Sequence, residues 1–265
     1  MTKKVRSRKG RWSDKDKQNG AFMETYQEFL DRISSFEKKE IHYGSGYFRG
    51  SPSISQKVAR DNTFRNFYGD TIVFALDDTM KEKAAEYAEI LHRSAPECFC
   101  ERLAPDTFHV TLHDLSNSPV LRDVAEELFE NEYRVIEKAK EIKEHEKVKI
   151  KMKSKAIFNM VDTSLVMGLY PADKDEYRRL MELYLIFDDV KKLNYPFTPH
   201  ITLAYYNING FDLSVAGILE DTVNQLNHNE METELNVRNL YYQKFRSMND
   251  YIDIINLVAA PDRQR

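Results

Sequence analysis

Two short segments of the chain carry the same kinds of side chain in the same order. Phe108-His109-Val110-Thr111-Leu112 and Pro199-His200-Ile201-Thr202-Leu203 both read aromatic or proline, histidine, β-branched aliphatic, threonine, leucine, and each follows a threonine. Both are predicted strands. Alternation along a strand places His109 with Thr111 on one face, roughly 6.6 Å apart, and turns Val110 and Leu112 to the other. His200 and Thr202 stand against Ile201 and Leu203 in the same way. Each segment therefore has an apolar back and a front bearing one imidazole and one hydroxyl. Two such fronts facing each other would supply a base to deprotonate water and an acid to protonate a departing sugar oxygen, because an imidazole titrates near working pH. The hydroxyls would donate to the non-bridging oxygens of a phosphorus centre undergoing in-line displacement. No metal is required.

The elements that must position these fronts alternate. Thr71–Leu76 reads as a strand bounded by Gly69–Asp70, followed by a helix over Thr79–Arg93 capped by Asp78 or Thr79. The Thr107–Leu115 strand and a helix over Pro119–Glu144 come next. Strands at Val148–Asn159 and Ser164–Tyr170 turn around Val161–Asp162. A helix over Lys174–Phe187 leads to the Pro199–Tyr206 strand. A helix over Leu213–Leu226 and a hairpin of Glu234–Phe245 with Tyr251–Ala259 close the chain. Ahead of this regular part lie a basic tail (Lys3, Lys4, Arg6, Arg8, Lys9, Arg11), a helix from about Asp14 to Phe36, and an aromatic, glycine-rich stretch over 42–70.

The paired H-V-T-L and H-I-T-L segments resemble the signature of the two-histidine (2H) phosphoesterase superfamily, which includes the LigT-like 2′-5′ RNA ligases and cyclic nucleotide phosphodiesterases. The resemblance covers roughly Thr71–Val258. It implies an α+β, bilobal fold: two pseudo-symmetric lobes of antiparallel sheet with outer helices around a central cleft. It implies a division into an N-terminal extension over 1–70 and a catalytic domain over 71–265. It also implies a catalytic set of His109, Thr111, His200 and Thr202, with no cofactor and no metal. The superfamily's substrates point to a 2′,3′-cyclic phosphate, a 2′-5′ linkage or a cyclic oligonucleotide.

Several other residues are candidates for contact with substrate. His113, four residues after His109, would share its face and line the same cleft, or serve structure alone. Tyr206 would share the face of His200, to stack on a base or pack at the strand end. Arg60, Phe64 and Arg65 fall in a run mixing cations, amides and aromatics, which suits a nucleotide lid or a packed loop. Lys147, Lys149, Lys151, Lys153 and Lys155 alternate with Val148, Ile150, Met152, Ser154 and Ala156. That lysine face reads as solvated, as a guard against edge pairing, or as a basic wall for an oligonucleotide. Tyr242, Lys244 and Arg246 are further candidates for anion contact.

The 265 residues, 42% hydrophobic and 12% aromatic, fit a globular protein. A net charge of −4 argues against stable duplex DNA binding and is compatible with a nucleotide or short RNA in one locally positive pocket. No apolar stretch is long enough for a membrane helix, and no apolar segment follows the basic N-terminus as a secretory signal would require. Two cysteines, Cys98 and Cys100, are too few for a disulfide framework, so a cytoplasmic location is expected. Three other functions remain open: a non-catalytic nucleotide- or RNA-binding module, an RNA 2′-5′ ligase, and a metal-dependent hydrolase using His109, His113 and His200. The sequence leaves the oligomeric state open.

Overall fold

Tyr68–Ala75 (β2) and Ser164–Pro171 (β5) are buried along almost their whole length. Strands without a polar face must be flanked on both edges and covered on both sides. Each is accordingly an inner strand of a four-stranded antiparallel sheet. The computed structural model describes residues 24–37 and 46–259; the basic tail and the start of the predicted 14–36 helix lie outside them. In chain order the other elements are α1 (Tyr26–Glu37), β1 (Tyr47–Phe48), α2 (Asp78–Ser94), β3 (His109–Ser118), α3 (Leu121–Glu144), β4 (Lys149–Met160), α4 (Lys174–Asp188), β6 (His200–Tyr205), β7 (Phe211–Asp212), α5 (Leu213–Leu226), β8 (Glu232–Asn236), β9 (Leu240–Ser247) and β10 (Asp250–Asn256).

One sheet has the order β10-β9-β2-β3, the other β6-β5-β4-β8, and β1 pairs with β7 apart from both. The fold is therefore α+β with two antiparallel lobes. β3 and β6, which carry the two histidine segments, are edge strands, and they approach each other across the lobe boundary. The helices bind the lobes together. α2 packs on β6 and α5, while α4 packs on β4 and β5 and also reaches β3 and α3. The hydrophobic core is in consequence one cluster running through both lobes, which fixes the two edges relative to each other.

Four sequence expectations are corrected. α2 starts one residue early: Asp77 is its N-cap, accepting from the Met80 N–H at 2.8 Å, rather than Asp78 or Thr79. Gly69 and Asp70 lie inside β2 instead of bounding it. The predicted Glu234–Phe245 arm is two strands in different sheets. A 3₁₀ turn at Val237–Asn239 carries the chain from β8 in one lobe to β9 in the other, and only β9 forms the hairpin with β10. Finally, β4 is an inner strand, so its lysines guard no edge. Lys149 pairs with Glu234 at 2.6 Å and Lys153 reaches Glu232 at 3.8 Å on the neighbouring β8, which offsets two of the five charges of the expected basic wall.

Asp70 explains why Tyr242 and Lys244 are not anion contacts. It is buried and accepts from the Ser116 N–H at 2.8 Å, the Tyr242 hydroxyl at 2.9 Å and the Asn131 amide at 3.3 Å. Burial pushes its carboxyl up to about 6, with these hydrogen bonds opposing the rise. Lys244 pairs with Glu132 at 2.6 Å, and Arg246 with Asp250 at 2.8 Å.

A glycine inside a strand marks a close approach of neighbours. A Cβ at Gly69 would stand 2.2 Å from the Phe245 ring and 2.5 Å from the Ser116 carbonyl oxygen. The backbone oxygen cannot swing away as a side chain can. Gly69→Ala should therefore cost about 1–3 kcal/mol in urea unfolding, and an unchanged midpoint would show that the sheet is looser here than described.

Candidate active site

The two histidine segments are alike well beyond the shared H-x-T. Both are preceded by Pro-x-Thr: Pro105-Asp106-Thr107-Phe108-His109 and Pro196-Phe197-Thr198-Pro199-His200. The threonine's carbonyl anchors the ring in each lobe. His109 Nδ1 lies 2.8 Å from the Thr107 oxygen and His200 Nδ1 lies 2.7 Å from the Thr198 oxygen. A carbonyl only accepts, so Nδ1 carries the proton in both rings and Nε2 is left with its lone pair.

The segments supporting these carbonyls differ. Thr107 ends a 3₁₀ turn, and its hydroxyl donates to the Ala104 carbonyl at 2.7 Å. Thr198 is held from α1. Arg32 donates to the Thr198 hydroxyl at 2.8 Å and to the Phe197 carbonyl at 2.7 Å, while Glu24 pairs with its Nε at 2.6 Å. The Phe197 ring stacks on Tyr184 at 5.0 Å.

Register continues the symmetry. Ala75, Phe74 and Val73 of β2 face His109, Val110 and Thr111, as Gly168, Met167 and Val166 of β5 face His200, Ile201 and Thr202. In both lobes the pairing then slips by one residue. Ile72 pairs with His113 and Leu165 with Ala204, so Leu112 and Leu203 are the extra residues of two β-bulges. An extra residue moves every later side chain to the opposite face.

The bulges overturn two expectations. His113 does not share the front of His109. It is 1% exposed, stacked 4.7 Å from the Tyr184 ring, with Nδ1 on the Asp114 carbonyl at 2.6 Å and Asp188 3.7 Å from Nε2. Burial holds it below the usual imidazole range. Tyr206 likewise enters the core, fully buried among Phe48, Phe99 and Phe211. The side chains five residues after each histidine take their places. Asp114 is exposed and its charge raises the affinity of both His109 and His200 for a proton. Tyr205 lies against Phe64 at 5.6 Å. With His113 withdrawn, the proposed His109–His113–His200 metal triad is dismantled, and no group of three or more His, Cys, Asp or Glu among the described residues is arranged to hold a metal.

Of the run before β2, Phe64 reaches Tyr205. Arg65 donates to the Ser55 carbonyl at 3.2 Å, and Arg60 is exposed with its carbonyl facing Asn209. Thr111 and Thr202 remain partly exposed beside their histidines. Sequence reasoning missed Tyr251 of β10, whose ring stands edge-on to His109 at 5.0 Å. It also missed Tyr195, whose hydroxyl donates to Asp114 at 2.8 Å, and Lys57. No sequence signal marks the first two, because packing alone brings them in. The repeated Pro-x-Thr was a readable signal for the ring anchors. A cavity of about 460 Å³ lies elsewhere, beside the start of α2, lined largely by acidic residues including Asp77, Glu82 and Glu86. The histidines are not part of it.

Burial dominates the electrostatics of the pair. It pushes His109 down to about 4, and the neighbouring His200 adds to the fall, while the Thr107 carbonyl and Asp114 oppose it. His200 is lowered too, by burial first and also by the charge of Lys57. In the empty cleft at neutral pH both imidazoles are uncharged.

No family model matches the chain, and no curated protein matches it in sequence. Among solved structures, a conserved protein of unknown function from Agrobacterium tumefaciens is similar at a TM-score of 0.55 and 12% identity, over 79% of this chain and 94% of that one. The chain shares that protein's fold. Structures of E. coli LigT are also similar: the apo form at a TM-score of 0.42 and 16% identity, over 72% of this chain and 96% of LigT, and the 3′-AMP complex at 0.41 and 16%, over 71% and 96%.

His109 with a depressed pKa binds a proton more weakly folded than unfolded. Its contribution to stability is complete above about 6.5 and is lost as pH falls toward about 4. Imidazole NMR should find His109 neutral down to pH 5. His109→Gln should lose less stability than the wild type between pH 7 and 4.5. A His109 midpoint near 6.5 would overturn the account of its burial.

Proposed function

We propose that the chain is a 2H phosphoesterase, a metal-independent phosphodiesterase that hydrolyses a phosphodiester in a nucleotide or short RNA. The bond is a 2′,3′-cyclic phosphate, a 2′-5′ linkage or a cyclic oligonucleotide link. The observation that carries this reading is the duplication of the whole local device: ring, Nδ1 anchor, threonine and bulge recur in both lobes on two facing edge strands. A pair of imidazoles with the same Nδ1 anchor suits a reaction that needs one proton removed and one delivered on opposite sides of a single centre.

In the proposed reaction the Nε2 lone pair of one histidine takes a proton from water. The oxygen attacks phosphorus, the bond to the departing sugar oxygen breaks, and the second histidine gives its proton to that oxygen. The hydroxyls of Thr111 and Thr202 have no hydrogen-bond partner among the described residues, so both are available to the non-bridging oxygens. The empty pair is neutral, which suits the base. The acid must gain a proton, and the negative phosphate between the rings favours that. Which ring plays which part follows from how the substrate lies.

The test is a panel of 2′,3′-cyclic mononucleotides, 2′-5′ oligoadenylates and cyclic dinucleotides, each assayed with and without chelator. His109→Ala and His200→Ala should each lower turnover by about 10²–10⁴, with the thermal midpoint retained. Either threonine changed to valine should lower it by about 10². Chelator should change nothing. Near-normal hydrolysis by either histidine variant would end the proposal, and tight binding without product would make the chain a binding module.

A further inference from the structure

Lys57 stands at the end of the 3₁₀ turn Pro52–Gln56, with its backbone pinned on both sides. Its N–H donates to the Ile54 carbonyl at 2.9 Å, and its own carbonyl accepts from Arg65 at 2.8 Å. Its ammonium lies 5.3 Å from the centroid of Phe67 and 5.3 Å from that of Tyr205. Both rings are themselves fixed: Phe67 stacks on Phe245 at 6.0 Å, and the Tyr205 hydroxyl meets Met248 Sδ at 3.1 Å. A flexible stem is thus held in one place, at the side of the cleft where β6 ends.

Several other partly buried lysines have carboxylate partners. Lys138 pairs with Glu141 and Asp189, and Lys244 with Glu132. Lys57 has none among the described residues. Asp114, the acid of the cleft, is engaged by Tyr195. The ring faces attract the ammonium, yet they carry no net charge to balance it. In a protein of net charge −4 this is a local positive site beside a catalytic pair.

We infer that Lys57 is an anion-binding residue of the cleft, its ammonium donating to a non-bridging oxygen of a phosphate group lodged beside His200. The inference builds on the function proposed above and extends it to the segment before β2. It makes that segment part of the substrate site, and it makes negative charge on the ligand a condition of binding. The field of Lys57 at His200 has the sign such proximity requires.

Lys57→Met keeps the stem and the ring contacts and removes the charge, while Lys57→Arg keeps the charge. With the full chain, binding of inorganic phosphate is followed by ³¹P NMR and by the His200 imidazole resonances. Lys57→Met should weaken phosphate binding about tenfold and flatten its salt dependence. It should also raise the His200 midpoint, since a nearby cation is gone. Lys57→Arg should stay within a few-fold of wild type. Equal phosphate affinity in wild type and Lys57→Met, including none in either, overturns the inference. Lys57-dependent phosphate binding in a protein that hydrolyses no diester would sink the proposed function and leave the inference standing. Diester hydrolysis with a KM indifferent to Lys57→Met would do the reverse.

Discussion

The Nδ1–H of each histidine donates to a carbonyl two residues upstream, and much of the two lobes serves to hold that carbonyl still. The bond settles which nitrogen carries the proton and holds the ring in one orientation, leaving Nε2 with its lone pair. An imidazole on an edge strand has a neighbouring strand on one side only. Its orientation has to come from its own backbone and from whatever braces that backbone. In the first lobe the brace is local, a 3₁₀ turn closed by the Thr107 hydroxyl. In the second it is distant: Arg32 from α1 grips the loop at Phe197 and Thr198, and Tyr184 carries the Phe197 ring. Equivalent rings are thus held by unequal means. The segment before β2 belongs to the working structure even though its sequence lies outside the duplicated part.

Burial sets the second condition. Placing two imidazoles at a packed boundary penalises the charged form of both, and each proton would repel the other. The empty site is left without the cation an acid catalyst needs. A phosphate between the rings reverses the balance, because one positive imidazole then faces a negative oxygen in a poorly solvated space. On the proposed reading, the protonation state that does the chemistry is created by the substrate.

The fronts of the two H-x-T strands were legible because alternation depends on the strand's own period, and Val110, Leu112, Ile201 and Leu203 marked the backs plainly. The side chains past the bulges were not. Whether Leu112 or Leu203 is accommodated as an extra residue is decided by pairing with Ile72 and Val73, or with Leu165 and Val166, and no count along β3 or β6 alone contains that fact. Strand alternation alone accordingly places His113 and Tyr206 on the faces of His109 and His200, and puts Asp114 and Tyr205 on the other. The lysine face of β4 misled for a related reason. Its partners, Glu232 and Glu234, come about eighty residues later in the sequence, although their own alternation was there to be matched. Tyr251 and Lys57 are placed by tertiary packing, which leaves no mark in local sequence.

The pseudo-symmetry is close wherever a proton would move and fails just beyond. Position five after the histidine is a carboxylate in one lobe, Asp114, and a phenol in the other, Tyr205. The carboxylate is bound by Tyr195, and the phenol's ring carries Lys57. The twofold is therefore broken electrically: the field of Asp114 reaches both rings, whereas Lys57 acts on His200. An ideal twofold site would accept a diester equally well in either direction, and either ring would then serve as base. On the proposed reading, a site with unlike charges around its two rings departs from that ideal: the groups on the two sides of the phosphate would meet different fields, which would favour one direction and fix the roles of the two histidines. What distinguishes acid from base in such a site lies in the neighbours five residues along and in the segment that delivers Lys57, and the rings themselves, their anchors and their threonines are the same.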